Sequence, residues 1–242
     1  MDLDVVLSPL ALSDDALKGR RVVMVDVLRA STTIATALAN GARAVIPATD
    51  TGEAGRLAAT LDPERSLLGG ERDGKPVAGF GAGNSPAEYS RDAVEEKTVV
   101  LTTTNGTRAL AKAKSSASVA VGGFVNADAA SRFLADGLAE GQGATVVCAG
   151  WRGRISLEDT LCAGLLVSRV VSAREAAALP DSAKMAYALY LGSKDDLDRA
   201  VRGTEHARRL IDLGFEDDLS RCTAVDTLAV LPVLRDGRLT AA

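Results

Sequence analysis

Short apolar segments with strand character alternate with helical segments along the first 170 residues of this 242-residue chain. Strands that alternate with helices form right-handed βαβ units, in which helices cover both faces of the sheet. The sequence therefore predicts a three-layer α/β/α fold whose sheet is mostly parallel, with a mixed sheet as the alternative. The predicted strands are Val22–Asp26, Ala44–Ile46, Ser66–Leu68, Thr98–Leu101, Ser118–Val121 and Ala144–Cys148. The predicted helices are Ile34–Asn40 with a first turn near Ser31, Gly52–Leu61, Arg108–Lys114, Ala127–Ala139 and Leu157–Val171.

The alternating pattern weakens after about residue 180, where the sequence indicates helices and one last strand near Leu228–Leu234. Neither a linker nor an internal repeat separates this part from the rest. We expect one α/β domain over residues 1–242, in which residues 180–242 form a C-terminal subdomain or an extension at the edge of the sheet.

Composition narrows the class of protein. The hydrophobic fraction of 47% and the charged fraction of 25% are typical of a soluble globular chain, and no run approaches the roughly 18 apolar residues of a membrane helix. A net charge of −4 without a basic block disfavours nucleic acid as a partner. The three cysteines form no CxxC pair, which argues against a disulfide scaffold or a zinc site. We expect a cytoplasmic protein with no membrane partner, and a homo-oligomer is one option that the sequence leaves open.

Polar loops directly follow five of the predicted strands. They are Asp26–Thr33, Gly69–Arg72, Thr102–Thr107, Gly122–Asn126 and Cys148–Arg152. The carboxyl ends of parallel strands lie on one edge of a sheet, which is where such folds bind ligands. The sequence therefore predicts that these loops converge on one crevice at that edge.

The chemistry of these loops indicates phosphate handling. Asp26 and Glu71 are carboxylates that can hold a divalent cation, and Arg29 with nearby backbone N–H groups can bind an anion. An Asp at a strand end is also a common turn former, so Asp26 by itself decides little. The convergence of the loops favours the functional interpretation.

Further candidates are weaker. Thr104, Asn105, Gly106 and Thr107 can offer hydroxyl, amide and backbone donors to an anion. The arginines of these loops suit a substrate with several negative charges; besides Arg29 they are Arg72, Arg152 and Arg154. Asp159 is a third candidate for metal or base, although an acid in the first turn of a helix also stabilises the helix dipole. The only histidine, His206, lies on a helix beside Arg208 and Arg209, and a structural role is the more common one for such a histidine.

A second chemistry is compatible with the segment from Cys148 to Arg154. The two residues have the Cys-x5-Arg spacing of a cysteine phosphatase loop, placed between a strand and a helix that would lower the thiol pKa. Val147 stands where such loops usually carry a histidine, and buried cysteines at strand ends are often small apolar residues. Both interpretations of Cys148 remain open at this point.

Several blocks of sequence together resemble the 2-phosphosulfolactate phosphatase (ComB) family. The blocks are Val25–Ile34, Leu68–Arg72, Gly83–Pro86, Thr103–Thr107, Cys148–Trp151 and Leu157–Asp159, in the order of the family, within a resemblance reaching from residue 22 to near Pro232. The resemblance implies a magnesium-dependent acid phosphatase that converts 2-phospho-3-sulfolactate to 3-sulfolactate and phosphate, a step of coenzyme M biosynthesis. It also implies that the glycine-rich loop with Asn84 and Ser85 belongs to the site. Gly81 stands where the family is expected to carry an Asp, and this departure puts the activity or the substrate of this chain in question.

The resulting hypothesis is a metal-assisted phosphomonoesterase. Asp26 and Glu71 hold Mg²⁺, while Arg29, Arg72 and the Asn105–Thr107 backbone bind the phosphate of a small anionic substrate. Arg152 or Arg154 then binds its carboxylate or sulfonate. Three alternatives stand beside it: a phosphatase of other small acids with Cys148 as nucleophile, a protein that binds an anionic metabolite without catalysis, and a broader small-molecule phosphatase with no link to coenzyme M.

Overall fold

The computed structural model describes residues 2–12, 15–113 and 115–242. Its strands are β1 Leu3–Val6, β2 Arg21–Val25, β3 Ala44–Ala48, β4 Ser66–Arg72, β5 Lys75–Pro76, β6 Thr98–Thr102, β7 Ser118–Gly122, β8 Ala144–Cys148, β9 Pro232–Arg235 and β10 Arg238–Ala241. Its α-helices are α1 Ala30–Ala39, α2 Thr51–Ala58, α3 Arg91–Val94, α4 Gly106–Lys112, α5 Ala127–Ala139, α6 Leu157–Val170, α7 Ala173–Ala176, α8 Asp181–Leu191, α9 Leu197–Arg202, α10 Glu205–Asp212 and α11 Glu216–Thr223. No helix in these ranges is long and apolar enough to cross a membrane.

The strands form a sheet in the order β1-β8-β2-β7-β9-β10-β3-β6-β4-β5. Strands β1, β8, β2 and β7 are parallel to one another, as are β3, β6 and β4. The antiparallel hairpin β9–β10 lies between these two parallel groups, and β5 pairs antiparallel with β4 at one edge. This confirms the predicted α/β fold with a mostly parallel, mixed sheet.

Strand β2 is buried on both faces of the sheet, which explains why Val22–Val25 form a continuous apolar run. In β2, Val23 and Val25 pack with α5 and α6 on one face, whereas Val22 and Met24 pack with α1 and α4 on the other. Successive side chains of a strand point to opposite faces, so a strand covered on both sides needs apolar residues at every position.

The last strands lie in the middle of the sheet rather than at an edge, where an extension was one of the expectations. Val233 of β9 is opposite Ala120 of β7, and Leu239 of β10 is opposite Val45 of β3. The hairpin turns at Asp236 and Gly237, both with positive φ, as a two-residue type I′ turn requires. The C-terminal helices also contribute apolar side chains to the core cluster on one face. The hairpin thus joins the two parallel groups.

Three elements near the strand ends can be compared with their predicted bounds. Helix α1 begins at Ala30, one residue before the predicted first turn near Ser31, so Ser31, Thr32 and Thr33 lie inside the helix. The predicted helix Arg108–Lys114 corresponds to α4, and its last residue, Lys114, lies outside the described residues. Strand β4 extends to Arg72, so Glu71 belongs to a strand rather than to the following loop.

Candidate active site

A pocket opens between the two parallel groups, at the carboxyl ends of their strands. One group contributes residues after β2 and β8, the other residues at the end of β4 and after β6, and α10 supplies the remaining wall. The lining residues are Asp26, Leu28, Arg29, Glu71, Asp73, Gly74, Asn84, Thr104, Asn105, Trp151, Arg152, His206, Arg209 and Leu210. Four of the five predicted loops therefore converge. The loop after β7 does not line the pocket. Its Asn126 side chain accepts from the Gly123 N–H and donates to the Val230 carbonyl.

Asp26 lies at the inner end of this pocket, immediately after β2, and is almost fully buried. Its backbone N–H donates to the Ser31 hydroxyl (2.9 Å), which fixes the turn into α1. A Cβ on Gly106 would lie 2.7 Å from Oδ2 of Asp26, so only glycine lets the start of α4 approach this carboxylate closely.

Glu71 is the second buried carboxylate. Its Oε1 accepts from the Thr104 N–H (2.6 Å) and its Oε2 from the Gly74 N–H (2.7 Å), so backbone groups of two loops hold it in one orientation. Burial raises the pKa of Asp26 to about 6; the charge of His206 opposes this rise and the charge of Glu71 adds to it. The two carboxylates are thus electrostatically coupled across the pocket.

Arg29 is held by a residue that lies far away in the sequence. Its Nη1 donates to Oδ2 of Asp218 on α11 (2.6 Å) and its Nη2 to the Gly74 carbonyl (3.2 Å). The ring of Phe215 lies 4.2 Å from the guanidinium carbon. Oδ1 of Asp218 accepts from the hydroxyl of Ser85 (2.6 Å), so Ser85 supports the ion pair rather than lining the pocket.

Three polar atoms of pocket residues lack a hydrogen-bond partner within the described part of the chain, although they are buried. They are Oδ1 of Asn84, Oγ1 of Thr104 and Nε of Arg209. Buried polar groups in native proteins are normally paired, so unpaired ones at a pocket indicate a bound ligand or ion. Two oxygens and one cationic N–H fit a site for a cation together with an anion.

The donor set suits magnesium. No cluster of three or more His, Cys, Asp or Glu side chains with metal-binding geometry occurs in the described ranges. Mg²⁺ takes one or two protein carboxylates, and oxygens of water and substrate complete its shell. Asp26 and Glu71 supply that number, and the unpaired oxygens of Asn84 and Thr104 are hard ligands of the right kind.

Helix α10 brings His206 into the pocket, although a structural role is the more common one for a lone helical histidine. Its Nδ1 lies 2.9 Å from Oε1 of Glu158 on α6, and its ring stacks on Trp151 with centroids 5.2 Å apart. Burial favours a raised pKa for Glu158, but the hydrogen bond and charge of His206 hold it below its usual value. His206 and Trp151 also border a second cavity of about 340 Å³, which contains Arg154 and Arg208.

The predicted arginines separate into three environments. Arg152 lines the pocket with its guanidinium 4.7 Å from the Trp151 ring, and Arg154 lies in the second cavity. Arg72 is turned away, because it donates to the Glu71 carbonyl (2.6 Å) and to the Thr102 hydroxyl (2.9 Å) between β4 and β6.

Asp159, the third candidate for metal or base, has a structural role. Asp159 accepts backbone N–H groups of Val27 (2.8 Å) and Gly150 (3.0 Å) with its two oxygens, so it ties together the loops after β2 and β8. Burial, and then the charges of Asp26 and Glu158, raise the pKa of Asp159 well above its usual value. It does not line the pocket, and the proposed third metal ligand does not fit this geometry.

Cys148 also does not fit its proposed role as nucleophile. It is fully buried in the core, outside the pocket lining, and burial raises its thiol pKa well above the usual value. A nucleophilic cysteine needs a lowered pKa and access to substrate. The Cys-x5-Arg spacing therefore carries no phosphatase loop here.

The remaining predicted residues support the pocket from behind. Thr107 is buried and exchanges hydrogen bonds with Thr103, which leaves Asn105 and Thr104 as the lining residues of that loop.

Gly81 is exposed and lies outside the lining, with its N–H donated to the Leu68 carbonyl (2.9 Å). Sequence reasoning missed Asp218, Arg209 and the participation of His206, since the only local signal was a histidine followed by two arginines.

Comparison with known proteins gives a consistent result. Residues 6–237 match the family described as 2-phosphosulpholactate phosphatase. A relative from Caldanaerobacter subterraneus subsp. tengcongensis is 37% identical over 94% of this chain and 92% of its own length. One from Gloeobacter violaceus is 42% identical over 87% of this chain and 86% of its own length. Both carry the name "Probable 2-phosphosulfolactate phosphatase".

Proposed function

The chain belongs to the 2-phosphosulfolactate phosphatase family and is a phosphatase, and we propose that it hydrolyses 2-phospho-3-sulfolactate with Mg²⁺ held by Asp26 and Glu71. One observation carries this proposal: two buried carboxylates and a buried arginine, Arg29, line one pocket between the parallel groups. The substrate is the one named for the relatives. Its product would be 3-sulfolactate, which would place the enzyme in coenzyme M biosynthesis.

The metal part of the proposal rests on electrostatics. Like-charged carboxylates in a buried pocket repel each other, and a divalent cation between them removes that repulsion. When bound there, Mg²⁺ would screen the negative charge of the phosphoryl oxygens. The unpaired oxygens of Asn84 and Thr104 support a cation at this position.

The pocket residues would bind and orient the phosphate. Arg29 is fixed by Asp218, so its guanidinium needs little reorganisation when charge develops on the transferring phosphoryl group. The buried Nε of Arg209 lacks a partner among the described residues and would donate to a phosphate oxygen. The backbone and side chain of Asn105 provide further donors beside them.

The rest of the substrate would extend outwards. The inner pocket, lined by Asp26 and Glu71, has a volume of about 20 Å³, and the adjoining cavity, which shares Trp151 and His206 with it, has about 340 Å³. Arg152 stands at the inner pocket and Arg154 in the adjoining cavity. These two arginines would bind the carboxylate and sulfonate, whose planar or tetrahedral oxygens suit guanidinium groups.

Phosphate release by the purified protein tests the proposal. The assay compares 2-phospho-3-sulfolactate with p-nitrophenyl phosphate, with EDTA and after Mg²⁺ is restored. We expect turnover that EDTA abolishes and Mg²⁺ restores, and we expect Asp26→Asn to be inactive. Asp92→Asn is the matched control, because Asp92 is exposed on α3 and does not line the pocket. Turnover in EDTA would contradict the metal role, and binding of the substrate without turnover would contradict hydrolysis.

A further inference from the structure

The pairing of His206 with Glu158 needs an explanation beyond packing. Glu158 is almost completely buried, with 2% of its side chain exposed, and the His206 side chain is 13% exposed. Burying a carboxylate is costly unless it is paired. Glu158 meets this requirement through Nδ1 of His206, 2.9 Å away, on a helix that is 48 residues further along the chain.

These contacts set the orientation and the tautomer of the imidazole. A carboxylate acceptor at Nδ1 fixes the proton on that nitrogen and leaves Nε2 as the second functional atom. The stacked indole of Trp151, at an interplanar angle of 19°, restricts rotation of the ring. His206 lines the same pocket as Asp26 and Glu71, and since Glu158 occupies Nδ1, Nε2 is the ring nitrogen left for a molecule bound there.

Hydrolysis of an alkyl phosphate needs a proton donor at the leaving group. An alkoxide is a poor leaving group, and a positioned acid that protonates its oxygen accelerates the reaction. Of the pocket's three carboxylates, Asp26 and Glu71 are assigned to the metal, and Asp73 is exposed and lies 4.0 Å from the Arg152 guanidinium. The arginines do not release protons at neutral pH. His206 is the remaining pocket side chain, among the described residues, that is suited to proton transfer.

We propose that His206 is the general acid that protonates the leaving oxygen of the phosphoester, and that Glu158 is the positioning residue that orients it. The inference rests on the proposed phosphomonoester hydrolysis. The P–O bond to the alcohol breaks as a water oxygen bonds to phosphorus, and the proton of imidazolium Nε2 passes to the departing oxygen. A proton from the added water, released by the phosphate product, returns to Nε2. The products are the alcohol and hydrogen phosphate, and His206 is regenerated.

The test compares leaving groups rather than total activity. p-Nitrophenolate departs without protonation, whereas an alkoxide does not, so loss of the acid should affect the two classes of ester differently. In His206→Asn the amide can still donate to Glu158 but cannot transfer a proton. We expect kcat for 2-phospho-3-sulfolactate to fall by about 100-fold or more, and kcat for p-nitrophenyl phosphate to fall less than about tenfold.

Glu158→Gln should show the same selectivity with smaller losses, since the imidazole remains but is oriented less well. Asp212→Asn is the matched control, because it also turns a carboxylate into an amide, at an exposed residue of the same helix that lines neither cavity, and we expect both rates within about twofold of wild type. Thermal unfolding of each variant verifies that it is folded, and His206→Gln replaces His206→Asn if that variant is not.

The outcomes separate this inference from the proposed function. Equal losses on both esters in a folded His206 variant would overturn the role of His206 and leave the hydrolysis intact. A wild-type protein that releases phosphate from neither ester would overturn the proposed function, and the role of His206 with it.

Discussion

The ion pair between Arg29 and Asp218 should be among the most sensitive interactions of this protein. Both side chains are almost fully buried, with 2% and 4% exposed, and their closest atoms are 2.6 Å apart. Asp218→Ala removes the carboxylate and leaves the Arg29 charge in the core without a counterion. Breaking a buried pair in this way costs about 3–5 kcal/mol of unfolding free energy. The Ser85 hydroxyl loses its acceptor as well.

Urea denaturation measures this loss directly. A domain typically has about 5–15 kcal/mol of stability, so Asp218→Ala should shift the urea midpoint far down with little change in the m value. Asp217→Ala is the matched control, because Asp217 is exposed on the same helix, and we expect a change of less than about 0.5 kcal/mol. A loss below about 1 kcal/mol in Asp218→Ala would refute the view that this carboxylate neutralises Arg29.

A double variant separates stability from catalysis. Arg29→Met combined with Asp218→Leu removes both charges and fills the space with apolar groups, which is often neutral for stability. We expect the double variant to be more stable than Asp218→Ala and to lack phosphatase activity, because no guanidinium remains at that position in the pocket. A double variant that is as unstable as the single one would show that packing, rather than charge, dominates the site.

Three further outcomes follow from the site. Burial raises the pKa of Asp26 to about 6, so this group favours folding below its ordinary pKa and loses that contribution as the pH rises through 6. Asp26→Asn should therefore stabilise the metal-free protein at pH 8 by up to about 3 kcal/mol, measured by urea denaturation. This gain should shrink towards pH 4. Mg²⁺ should raise the thermal unfolding midpoint of the wild type at pH 8, and should raise it less at pH 5, where protons compete for the carboxylates. It should not raise the midpoint of Glu71→Gln. An equal shift in that variant would place the ion elsewhere. Cys148→Ser should keep its kcat while losing about 1–3 kcal/mol of stability, since a hydroxyl replaces a buried thiol, and an inactive but folded variant would restore the cysteine mechanism.

Much of the fold could be predicted because its signals are local. The continuous apolar run of β2 reflects burial on two faces, and the polar residues after the strands reflect the strand ends that line the pocket. The turn at Asp236 and Gly237 was also a local signal, and it would have indicated a second strand after β9. The place of that hairpin between the parallel groups could not be predicted, because strand order depends on pairing between distant segments.

The residues of the candidate site also differ in how far the sequence could predict them. Asp26, Arg29 and Glu71 could be identified from the sequence, since each stands beside the end of an apolar strand where the chain leaves the core. Arg72 stands there too, but alternation along β4 directs it away from the pocket while Glu71 points into it.

The order of the residues was sufficient to predict a sheet with buried faces and with acids and arginines at the ends of its strands, because apolar runs and turn residues are local features of a chain. The contacts of those side chains depended on how distant elements pack together. Asp218 lies 189 residues from Arg29, and His206 reaches Glu158 from another helix. Ion pairs and hydrogen bonds act through space and leave no periodic trace in the chain, so these partners became visible only once the C-terminal helices had packed against the pocket.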